Sequence, residues 1–194
     1  MTHLSQSVEL DIQDGIAVVS INNPPVNALS FHVRDGLLAG INEAEELEAV
    51  RATLLICKGN TYIAGADIRE FGQKPQGAHL FEVHDAIEQA RKPVVSAIHG
   101  TAFGGGLETA LCCHFRVAVE SAQFGFPEVK LGLLPGAGGT QRLPRLIGVT
   151  EALQMMVSGS PISAKQALNN GLIDEIVEEL FPGAIRFTKK VVEE

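Results

Sequence analysis

Apolar positions along the chain fall into two rhythms, and their alternation sets the expected architecture. Residues 8–13 and 16–22 are apolar, β-branched segments on either side of Asp14-Gly15, a dipeptide that favours a two-residue hairpin turn. The turn-rich stretch NNPPVNALS (22–30) follows, and the spacing then predicts a helix over 31–48 with Ser30 as its N-cap. Residues 52–58 read as a buried strand leading through a loop into IAGADI (63–68). Residues 71–77, rich in Gly, Gln, Lys and Pro, read as a loop and as the segment expected to move most. Leu80, Val83, Ile87 and Ala90 return at helical spacing, and 94–98 reads as another buried strand. A helix is expected over 105–113, directly after a glycine cluster. A short strand over 116–119 then leads into a Pro/Gly-rich loop. Beyond it the pattern predicts helices over 149–157 and 163–169, a helix stop at Gly171 and a last short strand over 173–177. Strand-then-helix order repeated in this way predicts a parallel sheet with crossover helices, in the α/β class. No internal repeat, low-complexity run or linker interrupts the pattern, so one domain is expected over 1–194, with its core over about 8–177.

Composition narrows the possibilities. A chain of 194 residues, 45% hydrophobic and 20% charged, can bury a sizeable core and reads as a soluble globular protein. A net charge of −8 argues against nucleic acid or an anionic membrane as the partner. The acidic stretch 43–48 reads as a solvated helix face. Of the three cysteines, Cys112 and Cys113 are adjacent and Cys57 stands alone, which fits neither a disulfide framework nor a zinc site. They are expected to pack as small hydrophobes in a reducing compartment. MTHLSQSVEL has neither the basic region nor the apolar run of a secretion signal, and no stretch is long enough to span a membrane. The expectation is a cytoplasmic protein, with an organellar matrix as the alternative.

Two glutamates carry the candidate chemistry. Glu108 closes FGGGLE (103–108), and Glu128 opens FPEVKLGLLPGAGGTQRLPRLIG (126–148), with the glycine element IAGADI upstream. Glycines let backbone N–H groups approach a ligand, and a helix starting there aims those donors and its positive dipole end at negative charge. Two such turns and two carboxylates suit an oxyanion hole with an acid/base pair. The plain alternative is that an isolated Glu is a solvated surface residue. Glu108 is the harder of the two to dismiss, because it precedes the apolar run Ala110-Leu111-Cys112-Cys113 and a buried carboxylate needs a partner or a task. GAGGTQR (136–142) is neither a Walker loop nor a dinucleotide-binding fingerprint, and tight packing explains its glycines equally well. His84 and His99 read as structural, His114 lacks spaced ligand partners for a metal, and no Gly-x-Ser-x-Gly elbow presents a nucleophile.

Taken together, IAGADI, KPVVSAIHGTAFGGGLETALCCHFRVA and FGFPEVKLGLLPGAGGTQRLPRLIG, in that order, resemble the enoyl-CoA hydratase/isomerase (crotonase) family over about residues 8–177. The last segment is most similar to the N-terminal hydratase/isomerase part of multifunctional fatty-acid β-oxidation enzymes. The resemblance implies a crotonase (ClpP-like) spiral of ββα units that binds CoA thioesters across the glycine turns. It implies Glu108 and Glu128 as the catalytic pair, the backbone N–H groups of Ala66 and Gly105 as the oxyanion hole, and Ala64, Asp67, Ile68, Arg69 and Gly136 as substrate or CoA contacts. The implied activity is hydration of 2-enoyl-CoA, with or without Δ3,Δ2-enoyl-CoA isomerase activity. No metal and no cofactor are implied, NAD entering only if a dehydrogenase domain follows. The implied partners are the acyl-CoA or enoyl-CoA substrate, further copies of the chain, or such a dehydrogenase domain.

This sequence also departs from the family. It stops at FTKKVVEE (187–194), inside an expected helix, where the family continues with C-terminal helices over the acyl pocket, so a fragment of a longer polypeptide is expected. Asn60 stands where many members carry a lysine near the CoA phosphates, and Arg69 would compensate in part. Two further readings remain beside the enzyme: a catalytically silent acyl-CoA-binding or interaction module, and an RNA-binding role, which the charge of −8 disfavours.

Overall fold

The structure is a computed structural model that describes residues 1–193. Ten strands and seven helices follow in order: β1 (Thr2–His3), β2 (Val8–Gln13), β3 (Ile16–Ile21), α1 (Phe31–Glu46), β4 (Ala52–Cys57), α2 (Leu80–Glu88), β5 (Val94–Ile98), β6 (Thr101–Phe103), α3 (Gly105–Cys112), β7 (Phe115–Val119), β8 (Gln123–Gly125), α4 (Gly139–Ile147), α5 (Val149–Ser158), β9 (Ile162–Ser163), α6 (Ala164–Asn169), β10 (Glu175–Val177) and α7 (Leu180–Glu193). The main sheet has the order β1-β2-β3-β4-β5-β7-β10, parallel from β3 onward and antiparallel across β1-β2-β3. Asp14 and Gly15 both hold positive φ (51° and 79°), as a two-residue turn between right-twisted strands requires, and this sets Gln13 opposite Ile16.

Both faces of the parallel strands are buried, and alternate residues serve each. Ile16, Val18, Leu54, Ile56, Val95, Ala97 and Val117 pack with Ala184 and Phe187 of α7. Their neighbours Ala17, Val19, Leu55, Val94, Ile98 and Ala118 pack against α1, α2 and α3 through Leu37, Ile41, Val83, Ile87, Leu107 and Ala110.

A second, thinner layer shapes the site. After β5 and β7 the chain turns into short strands, and these pair as parallel β6 and β8, with Phe103 opposite Gly125 and β9 antiparallel on the far side. The same detour after β3 and β4 appears as a parallel bridge between Leu29 and Ala66. Each turn of the fold is therefore a long strand, a short strand or bridge, and then a helix.

Most predicted elements stand within two residues of their expected bounds, and the exceptions have identifiable causes. Ser30 is the N-cap of α1 by position, but its hydroxyl makes no capping bond. Instead the Phe31 N–H donates to Glu70 Oε1 (2.8 Å), and Arg34 Nη1 donates to Glu70 Oε2 (2.8 Å), so a charged group from a distant turn caps the helix. Residues 126–148 contain a 3-10 turn over Pro127–Leu131 and the helix α4, both read from sequence as loop. Pro144 inside α4 and Gly138-Gly139 at its start mask the helical pattern carried by Leu143 and Ile147. The cysteines are free and buried, as expected of small hydrophobes, and burial pushes the Cys113 thiol up to about 12. Among the described residues no helix is long and apolar enough to cross a membrane.

Candidate active site

The parallel pairing of β6 with β8 brings the two glutamates together. The Gly104 N–H donates to the Gly125 carbonyl (3.0 Å), so the turn into α3 lies beside the turn leading to Glu128. Gly104 is the N-cap of α3 at φ 51°, and a Cβ there would sit 3.0 Å from Glu128 Oε1. Only glycine combines that backbone with that approach. Glu128 Oε2 is buried and has no hydrogen-bond partner among the described residues.

Glu108 lies one turn into α3 and is 2% exposed. Its Oε1 accepts the N–H groups of Ala137 (2.7 Å) and Gly139 (2.8 Å), the latter opening α4. The helix N-terminus thus supplies directed donors and positive potential to this carboxylate. Burial raises the Glu108 pKa above the ordinary carboxylate value, and the Gly139 and Ala137 N–H groups and the charge of Arg142 oppose that rise without reversing it. Burial also raises Glu128; its own backbone N–H opposes this, and the charge of Glu108 adds to the rise. Donors from another element therefore favour the anion at Glu108, whereas the neighbouring carboxylate disfavours it at Glu128.

The Ala66 and Gly105 N–H groups, which the family resemblance implies as an oxyanion hole, lie on neighbouring turns. A Cβ on Gly105 would lie 3.7 Å from the Ala66 nitrogen, so the two backbones are within contact of each other. Neither N–H has a hydrogen-bond partner among the described residues. A cavity of about 760 Å³ opens beside Ala66, with Leu29, Arg34, Phe71 and Leu80 in its wall. Leu29 and Leu80 also flank Gly105, while Gly104 faces Glu128, so the turn stands between the cavity wall and that carboxylate.

The remaining predicted contacts divide between two loops. Ala64, Ala66, Asp67, Ile68 and Arg69 share one turn. Asp67 is buried, accepts the Arg69 N–H (3.1 Å) and pairs with its guanidinium through Nε (2.9 Å) and Nη2 (2.7 Å). That guanidinium, hydrogen-bonded and close, holds the Asp67 carboxyl below its usual range. The Arg69 side chain is 79% exposed, so it can meet a phosphate while held by Asp67. Ile68 is exposed, and Ala64 donates its N–H to the Val26 carbonyl (3.2 Å). Gly136 lies on the second loop, exposed at the start of the turn that anchors Glu108. Sequence reasoning did not find that Ala137 and Gly139 hold Glu108; the one available signal was a Gly-Gly pair preceding Leu143 and Ile147 at helical spacing.

The chain is similar to known proteins along most of its length. Over 168 residues the chain is 45% identical to the peroxisomal bifunctional enzyme of Danio rerio, covering 87% of this chain and 23% of that protein. Over 201 residues it is 39% identical to a probable enoyl-CoA hydratase of Bacillus subtilis strain 168, covering 95% of this chain and 77% of that one. The solved structure of an enoyl-CoA hydratase from Bacillus anthracis superposes with a TM-score of 0.90 at 34% identity, over 97% of this chain and 78% of that one. The chain thus spans under a quarter of the Danio rerio relative and about three quarters of the Bacillus subtilis one. With the family match itself running over residues 11–194, the chain belongs to the enoyl-CoA hydratase/isomerase family, and its fold is the crotonase fold.

Proposed function

We propose that this chain hydrates 2-enoyl-CoA thioesters to 3-hydroxyacyl-CoA. The observation that carries the reading is the pair of carboxylates, the buried Glu108 and the half-buried Glu128, beside two unengaged backbone N–H groups at Ala66 and Gly105. Conjugate addition of water puts negative charge on the thioester oxygen as the C3–O bond forms. Fixed N–H donors aimed at that oxygen are worth about 3–4 kcal/mol each in the transition state. Glu108, whose Oε1 accepts the Ala137 and Gly139 N–H groups, orients the water and takes its proton. Glu128, whose pKa is raised by burial and by its neighbour's charge, gives a proton to C2. The thioester itself supplies the activation, so the reaction uses no cofactor.

Both carboxylates being in place favours hydration over a dedicated Δ3,Δ2-isomerase, which can shuttle one proton with one carboxylate. Isomerisation by the same pair remains part of the proposal, since the matching family is described as hydratase/isomerase. The relative from Danio rerio is named a bifunctional enzyme, which supports a partnership with a second β-oxidation activity such as a dehydrogenase. Its name also supports a peroxisomal setting as the organellar alternative to the cytoplasm.

The test is the disappearance of the conjugated-thioester absorbance when the chain is mixed with crotonyl-CoA, with a 3-enoyl-CoA run in parallel. Hydration of crotonyl-CoA is expected. Tight binding of the thioester without turnover would overturn the enzyme reading in favour of a silent binding module.

A further inference from the structure

His84, which the proposed mechanism does not use, sits where the two halves of the site meet. It lies on α2 and is wholly buried. Its Nδ1 is 3.2 Å from the Ala137 carbonyl oxygen and its Nε2 is 3.1 Å from Thr109 Oγ1. A carbonyl can only accept, so Nδ1 carries the proton and the ring's other nitrogen accepts from the Thr109 hydroxyl. The Thr109 hydroxyl has a single proton, which is shared between this nitrogen and the Gly105 carbonyl, 2.8 Å from Oγ1 in the residue that opens α3. Burial, together with the charge of Arg142, pushes the imidazole pKa down to about 4, which agrees with a neutral ring.

Ala137 needs external support. It is flanked by Gly136 and Gly138, and Gly138 holds φ 99°, so little in the local chain fixes its peptide planes. Its carbonyl is gripped twice, by His84 Nδ1–H and by Arg142 Nη1 (2.9 Å). Arg142 is in turn paired with Glu88, which lies one turn beyond His84 on α2 (2.7 and 2.8 Å). Arg142 from α4 and Glu88 from α2 are the charged groups acting on the ring, and Glu108 of α3 acts on Arg142 from the site.

We infer that His84 is a positioning residue of the hydratase site: by holding the Ala137 carbonyl and the Thr109 hydroxyl, it keeps the Ala137 N–H on Glu108 Oε1 and ties that carboxylate to the Gly105 turn. The inference rests on the function proposed above. Its test separates the two, because one readout is independent of turnover.

Two variants of similar polarity place their donor differently. His84→Asn keeps an amide N–H near the Nδ1 position, whereas His84→Gln carries its amide towards the Nε2 position. In the full 194-residue chain, three quantities are measured: kcat and KM for crotonyl-CoA, the pH dependence of kcat, and the titration of the Glu108 carboxyl by ¹³C NMR. In His84→Gln, kcat should fall about tenfold, the scale of one lost hydrogen bond to a charged group, with KM little changed. The Glu108 titration and the ascending limb of the kcat profile should both move to higher pH, because a donor that stabilises the anion is no longer held. His84→Asn should recover most of each effect at a similar Tm. Equal behaviour of the two variants, or a Glu108 titration unmoved in both, would overturn the inference. Arg142→Lys keeps the charge but loses the fork to Ala137, and should also raise the Glu108 titration. No movement there sinks the inference even if the His84 variants fail to fold. A wild-type chain that titrates as described but does not hydrate crotonyl-CoA would refute the hydratase reading alone.

Discussion

Replacing Glu108 in two ways separates its chemistry from its structural duty. Glu108→Gln keeps a carbonyl oxygen at the Oε1 position, so the Ala137 and Gly139 N–H groups retain an acceptor at 2.7 and 2.8 Å. The fold around α4 should therefore persist, while the base is gone. General base catalysis contributes about 10²–10⁴ in rate, so kcat should fall at least about 10²-fold, or roughly 2.7 kcal/mol of barrier. Glu108→Ala removes the acceptor as well. Two donors are then stranded in a buried site at about 1–3 kcal/mol each, so this variant should be less stable than Glu108→Gln by at least about 2 kcal/mol. Crotonyl-CoA hydration gives the first quantity, and urea unfolding followed by circular dichroism gives the second. Near-wild-type turnover in Glu108→Gln would remove Glu108 from the mechanism. Equal stability of the two variants would show that the carboxylate does not anchor the 137–139 turn.

The other predictions follow from single contacts. Glu128→Gln should also lose at least about 10²-fold in kcat, and its stability relative to wild type should depend on pH. Because the folded-state pKa of Glu128 is raised, the native protein loses stability as pH rises through that value, so the amide should gain on the carboxylate above the usual carboxylate range and lose the advantage below it. Melting curves at acid and neutral pH that show no such trend would contradict the burial argument. Gly105→Ala should fold but lose most activity, since its Cβ would enter the space 3.7 Å from the Ala66 N–H and 3.1 Å from the movable Leu29 Cδ1. Gly106→Ala should instead lose at least about 1–3 kcal/mol of stability, because its Cβ would meet the Ile63 carbonyl oxygen at 2.2 Å. A folded, active Gly105→Ala would deny that this turn faces the acyl thioester. Glu70→Ala should cost about 1–2 kcal/mol as a lost helix cap, while Ser30→Ala should be nearly neutral, and thermal melts showing the reverse would restore Ser30 as the cap of α1.

The linear chain determined this protein's elements wherever one period dominated a stretch. The hairpin at Asp14-Gly15, the buried strands β4 and β5, and helices α1, α2 and α3 were legible because alternation or helical spacing matched the face each element buries. The glycine turns and both glutamates were legible as candidates, and their family resemblance came from motif order. What the sequence alone left open was which groups meet. Glu108 and Glu128 are twenty residues apart in a chain that offers no local reason for their proximity; the pairing of β6 with β8 supplies it. The cap of α1 comes from Glu70, beyond β4, and the donors that hold Glu108 come from the start of a helix whose pattern Pro144 and two glycines conceal. Nothing in the sequence around His84 marks its two ring nitrogens as bridging Ala137 and Thr109, which come from other elements. Periodicity reports which face of an element is buried, because burial scales with apolar area and is local in its signature. Hydrogen bonds are directional and link specific atoms across the sequence, so the partners of a buried carboxylate exist only once the layers have packed.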